Sequence, residues 1–189
     1  HGSPGPAPDG SYSFAAPGLY PIEIQWFNGN WTNDAGEHGG ANLRVMAAGD
    51  DIAGALLYGA ADVSAASIAA SSAATEVGDA GLHGAYWTSE PKGMQFGEED
   101  QGPIFSFVPG DDHGLGLMET NPQGRFISTN VNYSGNDISP ILEWLGDDAG
   151  SFVGTEGELN DGLIQFKGYV AIDEAGLHTF TSSSDDGSV

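Results

Sequence analysis

The chain has 189 residues, of which 39% are hydrophobic, and a formal net charge of −23 from 27 acidic residues against four lysines and arginines. A chain of this length can bury a core as one domain. Its acidity excludes nucleic acid as an expected partner, because phosphate binding needs clustered Lys and Arg. It has no cysteine for disulfides or thiolate metal sites, and no apolar run approaches the ~20 residues that membrane insertion requires.

Thirty glycines and ten prolines favour short strands and turns over helices, so we expect an all-β protein with long loops and little helix. Residues 1–11 read as a loop. The first clear strand runs from Leu19 to Phe27, with Tyr20, Ile22, Ile24 and Trp26 on one face. Trp26 is therefore predicted to lie in the core. Pro21 lacks an amide donor and should lie at the start of this strand or on a sheet edge.

Further elements follow in chain order. A polar, glycine-rich loop spans 28–40, and 41–46 is predicted to be the returning strand. Residues 47–80 are rich in small residues and read as an extended connection that can include a short helix at 65–74. A new structured region opens at 81–87, and strands are predicted at 104–108 and 125–133. The segment 141–145 fits either a helix or a strand.

The last third carries the strongest pattern. From Leu163 to Ile172 apolar residues alternate with polar ones, an acidic turn follows at 173–176, and a second run covers 177–181. This pattern predicts a β-hairpin. The second run leads into Asp185-Asp186-Gly187, and two adjacent carboxylates at a strand exit make a compact site of hard oxygens that suits Ca²⁺. The alternative is a β-turn in which aspartate caps backbone donors.

Catalytic patterns are weak by comparison. The sequence has no Ser-His-Asp order, no phosphate-binding loop and no His-rich metal motif. Carboxylates are so abundant that some plausible acid–base pair would occur by chance. We therefore expect a binding protein and not an enzyme. The pairs at 111–112 and 147–148 are interpreted as acidic turns.

Several segments together resemble the PA14 domain family. Residues 166–170, 174–180 and 184–188 resemble its central part, and 81–87 resembles its opening strand. Residues 17–27 and 39–45 are similar to its closing hairpin. The order is permuted or split within a single domain: 1–60 would be the C-terminal part of the family, 61–80 an Ala/Ser-rich connection, and 81–189 the N-terminal and central part.

The family's strand after Asp-Asp-Gly-Ser has no counterpart in this sequence. Either the chain is circularly permuted, or it is a piece of a longer protein. In both cases we expect one sandwich, with residues 1 and 189 at the two ends of the absent hairpin.

The resemblance implies an antiparallel β-sandwich of the lectin-like, Ca²⁺-dependent branch found in bacterial RTX-type adhesins and yeast flocculin-type adhesins. In that branch the pair corresponding to Asp185 and Asp186 binds Ca²⁺ across a cis peptide bond. The partner loop would be 28–40, where glycines let several carbonyls converge on one ion. The alternative for this loop is a solvated hairpin loop.

From that loop we select Asp34, Glu37, His38 and Gly39 as further metal ligands. Trp31, Glu37 and His38, with the two aspartates, are the candidate sugar-binding residues, because an aromatic face packs on sugar C–H groups. The implied function is a calcium-dependent carbohydrate-binding module of an extracellular bacterial surface adhesin, monomeric within a larger protein. The alternatives are an accessory sugar-binding module of a secreted glycoside-degrading enzyme and a Ca²⁺-stabilised structural module of a toxin.

Overall fold

The computed structural model describes residues 9–28, 32–51, 57–59, 80–87, 121–160, 162–185 and 187–188. The elements are β1 (Asp9–Phe14), β2 (Gly18–Asn28), β3 (Asn42–Ala47), β4 (Asp50–Asp51), β5 (Leu57–Gly59), β6 (Leu82–Trp87), β7 (Gly124–Ser128), β8 (Asn132–Tyr133), α1 (Ile141–Leu145), a 3₁₀ helix (Gly146–Ser151), β9 (Val153–Gly154), β10 (Gly162–Ile172), β11 (Gly176–Asp185) and β12 (Gly187–Ser188). The expectations for 65–74, 104–108, 111–112, residue 1 and residue 189 lie outside the described residues. The loop predicted over 1–11 is wrong for residues 9–11, which belong to β1 and pair with β11.

The strands form two antiparallel sheets, so the expected all-β sandwich is confirmed. The first sheet has the order β1-β11-β3-β4, with β8 also paired to β3. The second has the order β12-β2-β10-β6-β7-β9, with β5 also paired to β10. Within the described residues the helical structure is limited to α1 and the 3₁₀ turn after it, and neither is long and apolar enough to span a membrane.

The alternating patterns in the sequence mark the inner faces of the sheets. Ile164, Phe166, Val170 and Ile172 of β10 lie in the main core, together with Trp26 of β2. The indole of Trp26 is fully buried and stacks on Trp144 at a centroid distance of 4.9 Å. The prediction that Trp26 is a core residue is confirmed. Burying these large side chains is the main source of stability in such a fold.

The predicted hairpin between β10 and β11 is wrong. β10 pairs with β2 on one side and with β5 and β6 on the other, all in the second sheet. β11 pairs with β1 and β3 in the first sheet. The turn at 173–175 therefore carries the chain from one sheet to the other. β10 buries its apolar face in the main core, whereas β11 has no fully buried side chain and contributes Phe180 at the margin of that core.

The same correction applies to β2 and β3. They were expected to pair as a hairpin, but β2 belongs to the second sheet and β3 to the first. Pro21 pairs with Tyr169 of β10, and among the described residues no second strand pairs with β2 at that position. The loop at 28–40 is thus a crossing between sheets.

The segment predicted as one strand over 125–133 is two strands in different sheets. β7 ends at Ser128 and β8 begins at Asn132. The buried carboxylate of Asp148, which is 7% exposed, bonds to the residues around this break. It accepts hydrogen bonds from the Thr129 amide at 3.1 Å, from the Thr129 hydroxyl at 2.6 Å and from the Tyr133 hydroxyl at 2.6 Å. The segment 147–148 is a 3₁₀ turn with a structural carboxylate.

Two buried tyrosines have raised pKa values. Burial raises the pKa of Tyr133, and its hydrogen bond to Asp148 raises it further. Burial also raises the pKa of Tyr86, with a smaller contribution from the charge of Glu158. Both hydroxyls therefore stay protonated in the folded protein where a tyrosine in an unfolded chain already ionises.

Candidate functional site

One end of the sandwich collects the segments that the sequence singles out. β2 ends there at Asn28, and β3 begins there at Asn42. β11 also ends there, because Asp185 is paired with Asn42, and β12 starts beside the end of β2, because Gly187 is paired with Phe27. Two crossings between the sheets, 28–42 and 185–187, therefore lie side by side.

Asp185 lies directly against the predicted partner loop. It is partly exposed, and a Cβ built on Gly40 would stand 2.5 Å from Asp185 Oδ2 and 2.8 Å from Asn42 Nδ2. A side chain at position 40 would therefore push the Asp185 carboxylate away from this position. The prediction that residues 28–40 return to the carboxylate at the chain's end agrees with this geometry, although ion binding itself stays a prediction.

The outer part of the loop is a tight turn held by hydrogen bonds between its own residues. Asn33 Oδ1 accepts hydrogen bonds from the backbone amides of Ala35 and Glu37, both at 2.9 Å. Asn33 Nδ2 donates to Glu37 Oε2 at 2.7 Å. Asp34, Glu37 and His38 are exposed on this turn, so the turn places them at the surface and already engages the carboxylate of Glu37.

Some predicted site residues lie outside the described residues. These are Asp186, with the cis bond predicted before it, and Trp31. Within the described part of the chain, no three His, Cys, Asp or Glu side chains are grouped as a metal site would require.

Two residues that the sequence analysis did not select lie beneath the loop. Asp137 is 2% exposed and Asn28 is fully buried. Asn28 Nδ2 donates to Asp137 Oδ1 at 3.1 Å and to the Leu159 carbonyl at 3.3 Å. Asn28 could have been found from the sequence. It lies two residues after Trp26, and so on the same apolar face of the strand, where burying a polar side chain costs free energy unless it is hydrogen-bonded. Asp137, within Ser-Gly-Asn-Asp, carried no such signal.

The chemistry of this end fits a hard cation. Ca²⁺ takes six to eight oxygen ligands from carboxylates, amide side chains and carbonyls. Asp185 supplies a carboxylate, and Asn28 Oδ1 is a buried oxygen without a hydrogen-bond partner among the described residues. Gly39 and Gly40 form a cradle that any Cβ would fill, since the one at Gly39 would stand 2.9 Å from Asp137 Oδ2. The oxygens present are therefore of the kind that Ca²⁺ selects.

Comparison with protein-family models, with curated proteins and with solved structures gives no match to this chain.

Proposed function

We propose that this chain is a calcium-dependent carbohydrate-binding module of the PA14 type, working in an extracellular bacterial surface adhesin. The observation that carries the proposal is the close approach of Asp185 to Gly40, which brings this carboxylate against the glycine-rich loop. Asp185 and Asp186 would hold the ion, with oxygens from Asn28 and the loop. When bound, Ca²⁺ would offer open positions to vicinal sugar hydroxyls.

The arrangement supports recognition at an exposed surface. The turn at 33–38 exposes polar side chains on the same loop as Gly40, and Glu37 and His38 can hydrogen-bond sugar hydroxyls. Loops held on a rigid sandwich are common places for binding residues. The protein's own part in recognition is therefore to fix the carboxylate and the loop against each other.

The proposal is tested by glycan-array binding in Ca²⁺ and in EDTA, with circular dichroism to monitor the fold. We expect glycan binding in Ca²⁺, its loss in EDTA while the fold persists, and its loss in Asp185→Asn. Binding that survives EDTA unchanged would disprove the role of the ion. Unfolding in EDTA without any glycan bound in Ca²⁺ would identify a structural calcium module instead.

A further inference from the structure

Asp137 bonds to both ends of the loop that the proposed site needs. At the start of the loop, Asn28 Nδ2 donates to Asp137 Oδ1 at 3.1 Å. At its end, the Gly39 amide donates to Asp137 Oδ2 at 3.0 Å, and the Asp137 amide donates back to the Gly39 carbonyl at 3.1 Å. One buried carboxylate thus fixes positions 28 and 39 relative to each other.

The neighbours of Asp137 continue this contact along the chain. Asn136 forms an isolated bridge with Gly40, and the Ala41 amide donates to the Gly135 carbonyl at 3.0 Å. The segment 135–137 therefore lies beside residues 39–41 like a neighbouring strand in a sheet and fixes their position. Gly40, the residue in contact with Asp185, is the middle one of these three residues.

We propose that Asp137 is the positioning residue of the calcium site, holding Gly39–Gly40 and Asn28 in place so that the loop meets Asp185. This inference rests on the proposed function. A carboxylate accepting amide hydrogen bonds makes a charge-assisted bond, and burial strengthens it. Ordering the loop before the ion arrives removes an entropic cost from binding. Partners that orient metal ligands typically alter metal affinity 10–100-fold when they are mutated.

Asp137→Asn is the informative substitution. Asparagine has the size of aspartate, but it has one acceptor oxygen where aspartate has two. Its NH₂ group would face one of the two donors, Asn28 Nδ2 or the Gly39 amide, and that hydrogen bond would be lost. Asp148→Asn is the matched control, because Asp148 is also a buried carboxylate with several hydrogen bonds but lies behind the break between β7 and β8. Both variants should lose stability. Only Asp137→Asn should lose Ca²⁺ affinity, by about 10-fold or more.

Three measurements on the full 189-residue chain decide the inference: Ca²⁺ titration calorimetry, urea unfolding in EDTA, and amide hydrogen exchange in EDTA. We expect faster exchange at 32–41 in Asp137→Asn than in the wild type or in Asp148→Asn. If Asp137→Asn is destabilised but binds Ca²⁺ with wild-type affinity, Asp137 is only structural and the inference is overturned. If the wild type binds no Ca²⁺, the proposed function fails, and the exchange rates alone then decide whether Asp137 positions the loop.

Discussion

Replacing Gly40 by alanine tests whether Asp185 binds an ion from its observed position. The new methyl carbon would stand 2.5 Å from Asp185 Oδ2. Ordinary contact begins at 3.4 Å, so this oxygen must move by about 0.9 Å (3.4 − 2.5). Ca²⁺–oxygen distances lie within about 2.3–2.6 Å, and a shift of ~0.9 Å takes a ligand out of that range. We expect Ca²⁺ affinity to fall about 10-fold or more, which is about 1.4 kcal/mol per factor of ten.

The fold itself should tolerate this change. Gly40 is not among the residues with positive φ, so alanine adopts its backbone without strain. The two atoms that must move, Asp185 Oδ2 and Asn42 Nδ2, are the ends of side chains that can rotate, and an off-rotamer angle costs about 0.5–1.5 kcal/mol. Gly150→Ala is the control, because a Cβ there meets no atom within 4 Å. Calorimetry should show reduced Ca²⁺ affinity in Gly40→Ala alone, and urea unfolding in EDTA should show both variants close to the wild type.

One result would refute this reasoning. If Gly40→Ala binds Ca²⁺ as tightly as Gly150→Ala while remaining folded, Asp185 does not ligate the ion from beside the loop. The proposed site would then have to be built without the contact on which it rests.

Three further predictions concern the fold. Because Tyr86 and Tyr133 stay protonated when folded, while an unfolded chain releases these protons above pH ~10, stability should fall above that pH by about 1.4 kcal/mol per pH unit for each tyrosine. Urea unfolding between pH 9 and 11 should therefore show a shallower decline in Tyr86→Phe and in Tyr133→Phe, and wild-type slopes in both would contradict the assignment. Phe166 is fully buried against Phe126, so Phe166→Ala should lower the unfolding free energy by about 3–5 kcal/mol; a loss below ~1 kcal/mol would be inconsistent with this core. Trp144→Phe removes the donor to the Ala41 carbonyl at 2.7 Å and should cost about 1–3 kcal/mol in the same assay.

The inner faces of the strands could be predicted from the sequence, but the pairing of the strands could not. Alternation is a property of one strand, so Ile164 and Phe166 could be assigned to the core from their spacing alone. Pairing depends on what else competes for a strand's two edges. β10 has partners on both edges within the second sheet, which leaves none for β11. A short turn between two alternating runs looks the same in sequence whether it closes a hairpin or crosses a sandwich.

The candidate site divides in the same way. Asp185 was predicted because two adjacent carboxylates before a glycine are distinctive in a sequence. Asp137 was not, because its role comes from contact with Asn28 and Gly39, about a hundred positions away in the chain. Residues that position a loop act through contacts between distant parts of the chain, and a single sequence shows only the chemistry of each residue.

The connections 28–42 and 185–187 both run between the two sheets at the same end of the sandwich, and this determines what a bound calcium ion would do. Asp185 belongs to the first sheet and Asn28 to the second, so an ion held by both would join the sheets as well as present itself to a ligand. Binding only to the folded state stabilises a protein by about 2.7 kcal/mol when the ion is at 100 times its Kd. A rise in thermal stability with Ca²⁺ is therefore expected of a lectin and of a structural module alike. Only sugar binding that disappears in EDTA from a chain that is still folded separates the two. The hydrophobic core, which does not depend on the ion, should keep the apo chain folded for that measurement, while Asp137 holds both ends of the loop.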